Sequence, residues 1–264
     1  MSQPSSITPQ GNSLVISVFN GAETLERTLV SVAAQSHALD EVVIVNDGST
    51  DATSEIIAAW ESHLPLVQIH NPRNLGIVRS LQNGTDYASG ELVFRLDADD
   101  VWLPNHVESM VKLRKRYPNA ALYASRSFIC TADQKHEKKS THVDENIIRS
   151  KLLWNNPLVH SSVAFDKQAY ETVGGYLGPR YAEDYSLWIR LLSKGSFAFT
   201  EKITVVYYDR ENSFSKVKRA KAQCVRFGLQ RLAIRAFAVR HPIVAALITP
   251  VLLLRQVLNK VNIG

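Results

Sequence analysis

The chain has 264 residues, of which 45% are apolar and 21% charged, with 12 Gly and 10 Pro. These proportions exclude disordered, collagen-like and coiled-coil chains, and the length allows one substantial domain with a real core. The net charge of +5 is unevenly placed: residues 210–264 hold eleven Lys and Arg against Glu211 alone, which gives the tail +10 and leaves residues 1–209 at −5.

Along the chain, residues 13–19 (SLVISVF) form a compact apolar run closed by Asn20-Gly21, which predicts a buried strand and a turn. Leu25, Leu29, Val32 and Ala33 give residues 23–36 a helical spacing. Residues 41–45 (EVVIV) read as a second strand, stopped by Asn46-Asp47-Gly48-Ser49-Thr50-Asp51. Residues 53–60 read as helix, 66–69 as strand, 75–88 as helix and 91–96 (ELVFRL) as strand. Short apolar strands alternating with longer helices predict an α/β fold, its sheet mostly parallel with helices on both faces. Beyond this, residues 121–129 predict a strand, 131–141 a charged hairpin or loop, 161–165 a strand, and 185–194 a helix ending at Gly195.

In parallel sheets of this kind, ligands bind beyond the carboxyl ends of the strands, where two polar clusters fall. Asp97-Ala98-Asp99-Asp100 sets three carboxylates within four residues, which repel unless a cation or hydrogen-bond donors compensate. Oxygen donors suit Mg²⁺ or Mn²⁺ held together with substrate phosphates. On an extended strand end, Asp97 and Asp99 would point the same way. The plainer alternative is capping of a helix starting near Val101. Asn46–Asp51 supplies turn and cap residues, and Asp47 could also accept from the ring N–H of a base. Glu183-Asp184, in YAEDYSLWIRL, is either a helix-start pair or a proton acceptor with its positioning neighbour. Gly174-Gly175 lies just upstream and signals a closely approached backbone. His160, near a predicted strand, is read as a structural histidine more readily than as a metal or acceptor contact.

Taken in order, SVFNGAETLERTLVSVAAQS, EVVIVNDGSTD, NLGIVRSLQNG, GELVFRLDADD and VGGY…EDYSLWIRL resemble the inverting glycosyltransferases of family 2, of the bacterial cell-surface polysaccharide type, over roughly residues 12–210. The resemblance implies the GT-A fold, with a Rossmann-like nucleotide half over about 12–100 and an acceptor half over about 101–210. It implies that Asp47 holds the nucleotide base, with Val18, Asn20 and Glu23 around base, ribose or diphosphate and Arg79 approaching the nucleotide. Asp97-Ala98-Asp99 matches the DXD motif, Asp99 being the more direct ligand of Mn²⁺ or Mg²⁺ and Asp97 nearer the ribose or a metal-bound water. Asp184 matches the general base and Glu183 its neighbour on the acceptor side. Two departures stand out: Ser17-Val18-Phe19-Asn20 replaces the commoner Pro-x-Tyr-Asn, and Leu81-Gln82-Asn83-Gly84 replaces Leu-Asn-x-Gly. Neither removes a charged group. The implied reaction is a single displacement on an α-linked nucleotide sugar, UDP-sugar first, in which Asp184 deprotonates the acceptor hydroxyl and the anomeric centre inverts.

The tail, 211–264, is expected to be helical over 216–240. It continues into thirteen uncharged residues, 242–254 (PIVAALITPVLLL), interrupted by Pro250 and flanked by Arg240 and Arg255. A bilayer span needs about 20 apolar residues, so an interfacial segment with its arginines at lipid headgroups fits better. Packing against the body or a second copy, as in a homodimer, is the other reading. No nucleic-acid motif accompanies the charge. Cys130 and Cys224 have no metal-like spacing, and the start MSQPSSITPQGNS lacks an apolar signal core. The expected location is therefore cytoplasmic, peripheral on the inner face of the membrane. A lipid-linked, polyprenyl-diphosphate saccharide of O-antigen, capsule or exopolysaccharide synthesis is the expected acceptor. The rivals are a nucleotidyltransferase, for which the first strand lacks a Gly-rich basic loop, and a non-catalytic nucleotide-sugar-binding subunit.

Overall fold

A computed structural model describes residues 11–131, 134–139, 148, 151–152, 156–177 and 182–209. The basic tail lies outside these residues. So does part of the segment predicted as a charged hairpin.

Runs of β-branched residues, stiff at χ1 and suited to a pleated surface, build β1 (Asn12–Val18), β2 (Glu41–Asn46), β3 (Leu66–His70) and β4 (Leu92–Arg95). Between them α1 (Leu25–Ala33), α2 (Thr53–Trp60) and α3 (Ile77–Tyr87) carry the chain back, as parallel pairing requires. β1 pairs in parallel with both β2 and β4, and β2 with β3. The order β3-β2-β1-β4 reverses direction between β1 and β4. At such a switch point the crevice beyond the strand ends receives ligands.

The second half adds β5 (Val101–Trp102), α4 (His106–Arg116), β6 (Ala120–Thr131), β7 (Gln134–Lys139), β8 (Val163–Asp166), α5 (Lys167–Thr172), α6 (Glu183–Leu191) and β9 (Ser196–Asp209). A 3₁₀ turn, His160–Ser162, leads into β8. β8 lies antiparallel to β4 on one side and to β6 on the other, pairing Leu92 with Asp166 and Leu122 with Phe165. β6 runs parallel to β9, and β9 antiparallel to β5. The sheet is thus parallel through β3-β2-β1-β4 and mixed beyond it. Residues 101–102 pair with Val206 and Val205 as a strand, so Asp97–Asp100 does not cap a helix there.

Each face of the sheet is covered. Val15, Val43, Val45 and Val93 pack under α3, α5 and α6 with Leu81, Tyr170 and Trp188. Leu14, Ile16, Val42, Ile44 and Phe94 pack under α1, α2 and α4 with Leu29, Ile57 and Met110. This is the period-two alternation of strands buried on both faces. The fold class is the Rossmann-like α/β arrangement expected, with helices on both faces.

Candidate functional site

The acidic run after β4 forms a tight turn rather than an extended strand end: the Asp100 N–H donates to the Asp97 carbonyl at 3.1 Å. The turn is fastened from several sides. Thr24 Oγ1 donates to the Ala98 carbonyl at 2.8 Å, an Arg27 guanidinium N–H to the Asp99 carbonyl at 2.9 Å, and Thr28 Oγ1 to the Asp100 carbonyl at 2.9 Å. The Asp97 side chain is 28% exposed and pairs with the fully buried Arg95. The hydroxyl of Ser161 stands 3.4 Å from Asp97 Oδ2 and receives the Asp97 backbone N–H at 3.0 Å. Burial pushes the Asp97 carboxyl up, but its neighbours, led by the Arg95 guanidinium, hold the group below its ordinary value. Asp100 is wholly buried, accepting from Ser161 Oγ and from the Tyr208 N–H. Burial, with the neighbouring Asp97 charge adding to it, raises its pKa well above the usual carboxylate range. The three neighbouring acids are therefore differentiated: Asp97 is paired, Asp100 is buried with its pKa raised, and Asp99 lies half-buried at the turn.

After β2, the chain must reverse at once into α2, and Gly48 does so with φ +72°. Asn46 Oδ1 accepts the Ser49 N–H at 3.0 Å and Asp51 Oδ1 the Thr53 N–H at 3.1 Å, so these residues shape the turn, while Ala52, not Ser49 or Asp51, is the N-cap of α2. Asp47, 2% exposed, does more. Its Oδ1 accepts from Asn71 Nδ2 and the Leu75 N–H, both at 2.8 Å, and its Oδ2 from the Gly76 N–H at 2.9 Å. It thereby shapes the loop that opens α3. A carboxylate has about four acceptor positions, so Oδ2 keeps capacity for another donor. Val18 is buried, and its carbonyl receives the Asp47 N–H at 2.8 Å. Asn20 (φ 50°) is exposed and bonds Ser49 and Thr50; Glu23 and Arg79 are exposed, before α1 and on α3.

Glu183 and Asp184 open α6, where acids are favoured by the helix dipole. Asp184 Oδ1 accepts the Tyr185 N–H and Oδ2 the Asn156 amide, both at 2.6 Å. Burial raises its carboxyl to about 6; the Asp97 charge adds to this and the two hydrogen bonds oppose it. Glu183 is 9% exposed, and its Oε2 has no hydrogen-bond partner. Burial and then the charge of Asp184 push it up to about 8. His160 is buried, its Nε2 2.9 Å from the Tyr176 hydroxyl, and burial with the nearby Arg95 holds it at about 3, hence neutral. This is the structural histidine of the plainer reading. Tyr176 is tied in turn to Gln82 of α3, whose Oε1 accepts its N–H at 2.7 Å.

Asp97 of the turn lies near enough to the start of α6 for its charge to bear on Glu183 and Asp184. Nothing in the sequence singles out Ser161 or Asn156, whose importance comes from pairing across the fold. Arg95 does carry a signal, a charged residue inside an apolar strand run. Among the described residues no cluster of three or more His, Cys, Asp or Glu side chains could hold a metal by itself. Asp97 and Asp99 nevertheless offer hard oxygen donors, and Mg²⁺ or Mn²⁺ is commonly held by one or two carboxylates with substrate phosphates and water. The donor set fits a divalent cation that arrives with a diphosphate. Among the described residues, no helix is long and apolar enough to cross a membrane.

Comparison with known proteins bears on the family and the fold. The family described as Glycosyl transferase family 2 matches residues 13–174. The amylovoran biosynthesis glycosyltransferase AmsE of Erwinia amylovora is 31% identical over 186 residues, 69% of this chain and 70% of AmsE. The UDP-Gal:alpha-D-GlcNAc-diphosphoundecaprenol beta-1,3-galactosyltransferase of Escherichia coli is 28% identical over 65% of this chain and 63% of its own. Among solved structures, S. aureus TarS 1-349 in complex with UDP-GlcNAc superposes with TM-score 0.69 at 15% identity, over 86% of this chain. The chain spans 66% of that TarS chain, and at this identity the likeness speaks to the fold.

Proposed function

Since the chain belongs to glycosyl transferase family 2, we propose that it is an inverting transferase moving a sugar from a nucleoside-diphosphate donor, UDP-sugar first, to a hydroxyl of a saccharide. The observation that carries this reading is the meeting of acids from opposite halves. Asp97, beyond the end of β4, lies close enough to α6 for its charge to raise both Glu183 and Asp184.

Asp47 receives the base, with Val18, Asn20 and Glu23 around base, ribose or diphosphate and Arg79 approaching the nucleotide. Asp97, Ala98 and Asp99 face the diphosphate, with Asp99 and Asp97 holding Mn²⁺ or Mg²⁺. When bound, such a cation neutralises charge on the departing diphosphate. Asp184, at about 6, is mostly ionised at neutral pH and can take a proton. The acceptor oxygen attacks the anomeric carbon from the face opposite the diphosphate, and its proton passes to Asp184. The bond to the β-phosphate oxygen breaks with its electron pair, so one displacement inverts the centre. Asn156 and the Tyr185 N–H fix the direction of the base. Glu183, carrying its proton up to about pH 8, serves as a donor to the acceptor rather than as a second base.

The names of the relatives support a pathway reading. AmsE is named for amylovoran biosynthesis, and the E. coli relative for a diphosphoundecaprenol-linked acceptor and UDP-Gal. We take the acceptor to be a polyprenyl-diphosphate-linked saccharide of bacterial polysaccharide synthesis. Residues 1–210 act as the transferase, and 211–264 bring it to the inner membrane face. The test uses the purified full chain with Mn²⁺, a panel of UDP-, dTDP- and GDP-sugars, and a GlcNAc-diphosphate-lipid acceptor. Transfer that turns an α-linked donor into a β-linked product supports the reading. Binding of a nucleotide without transfer to this or any membrane-extracted acceptor overturns it in favour of a non-catalytic subunit.

A further inference from the structure

A strand buried on both faces is expected to be apolar throughout, and Leu92, Val93 and Phe94 of β4 comply. Arg95 ends the strand at 1% exposure. Alternation puts it on the Val93 face, beneath α3 and α6. One terminal nitrogen donates to the carbonyl of Val15, its register partner on β1, at 3.2 Å, and to that of Leu96. The other terminal nitrogen donates to Asp97 Oδ1. The Nε–H has no partner. A planar fork with fixed donor directions is thus anchored to the sheet on one side and presents its other side to the first carboxylate of the acidic turn. Ser161 Oγ receives the Asp97 N–H at 3.0 Å and gives its own hydrogen to Asp100, so Asp97 is held by the Arg95 fork at its carboxylate and by Ser161 at its backbone.

Stability alone does not account for this arrangement, because apolar residues of similar volume often stabilise a core as well as a buried ion pair or better. We propose that Arg95 is a positioning residue of the donor site: by holding Asp97 through its fork, it sets the affinity for a metal-bound nucleoside diphosphate. This rests on the donor-site reading above. It concerns a residue that itself touches neither nucleotide nor acceptor.

The test is a double-mutant cycle read by calorimetry. UDP with Mn²⁺ (or dTDP or GDP, where the wild type binds that instead) is titrated into wild type, Arg95→Met, Asp97→Asn and the double variant, with folding followed by circular dichroism. Arg95→Met is expected to weaken binding by about 10–100-fold, the range for residues that orient metal ligands, with Arg95→Lys restoring part of it. In the Asp97→Asn background the same change is expected to shift Kd by less than about twofold, since the residue it positions is already altered. Equal losses in both backgrounds, or no loss in either, overturn the proposal. Should Arg95→Met not fold, Arg95→Lys measured in both backgrounds decides by the same criterion. A folded wild type that binds none of the three nucleotides overturns the donor-site reading itself, which separates the two failures.

Discussion

Asn156 donates its side-chain amide to Asp184 Oδ2 at 2.6 Å, joining a residue ahead of β8 to the first turn of α6. This bond stabilises the ionised carboxylate, so its loss makes Asp184 hold a proton more tightly. A base works ionised, and the acidic limb of kcat, expected near pH 6, should move upward in Asn156→Ala by about one pH unit. The variant should be most impaired near pH 6 and nearly normal at pH 8. Asp184→Asn should lose about 10²–10⁴ in kcat while still binding nucleotide. Rate profiles across this pH range, with calorimetry on the same samples, check both outcomes.

Metal dependence should reside at the acidic turn. Asp99→Asn is expected to weaken UDP binding in Mn²⁺ by at least about 10-fold, the scale seen when even outer partners of a metal ligand are removed. EDTA should weaken the wild type similarly and leave the variant unchanged. Parallel titrations with and without chelator distinguish this from a metal-independent site.

Glu183 makes folding stability depend on pH. Its carboxyl ionises near 4.5 when exposed and at about 8 in the folded chain. The folded state therefore binds the proton more tightly. The stabilisation is full below the lower value and is lost as pH rises toward and through the upper one. Glu183→Gln removes this contribution but keeps that of Asp184, which has the same sign. Thermal melts should show the wild type losing several degrees more than Glu183→Gln across this interval.

Gly48→Ala should be costly at a position far from the chemistry. Its φ is +72°, and an added Cβ would lie 2.5 Å from the Arg73 carbonyl carbon and 2.8 Å from the Asn74 nitrogen. The backbone strain alone is about 1–2 kcal/mol. The clash would also push away the loop that Asp47 holds. Urea unfolding should show at least that loss, and nucleotide affinity should fall with it.

Much of this architecture was legible because the chain up to β4 writes its strands as short, mainly apolar runs; α2 begins and ends where its spacing predicts, at Thr53 and Trp60. α4 was not legible. Only Val107, Met110 and Leu113 mark its buried stripe, among five charged side chains in eleven residues. β9 is interrupted by Glu201-Lys202, which breaks the alternation of a 14-residue strand. The motif acids announce themselves by crowding. Their partners do not, because Ser161 reaches Asp97 across a separation of 64 residues and Asn156 reaches Asp184 across 28. Those pairings exist only once β8 is in place. The hold of Asp47 on the loop before α3 was invisible for the same reason.

β8 is a short strand with a disproportionate effect. Because it is hydrogen-bonded to β4 on one edge and β6 on the other, the change of role near residue 100 is not a mechanical joint. Among the described residues, the strands on either side of β8 form one continuous ladder. The two sides should therefore melt in a single transition rather than one after the other. An engineer exchanging the part beyond residue 100 as a cassette would sever that ladder at β8.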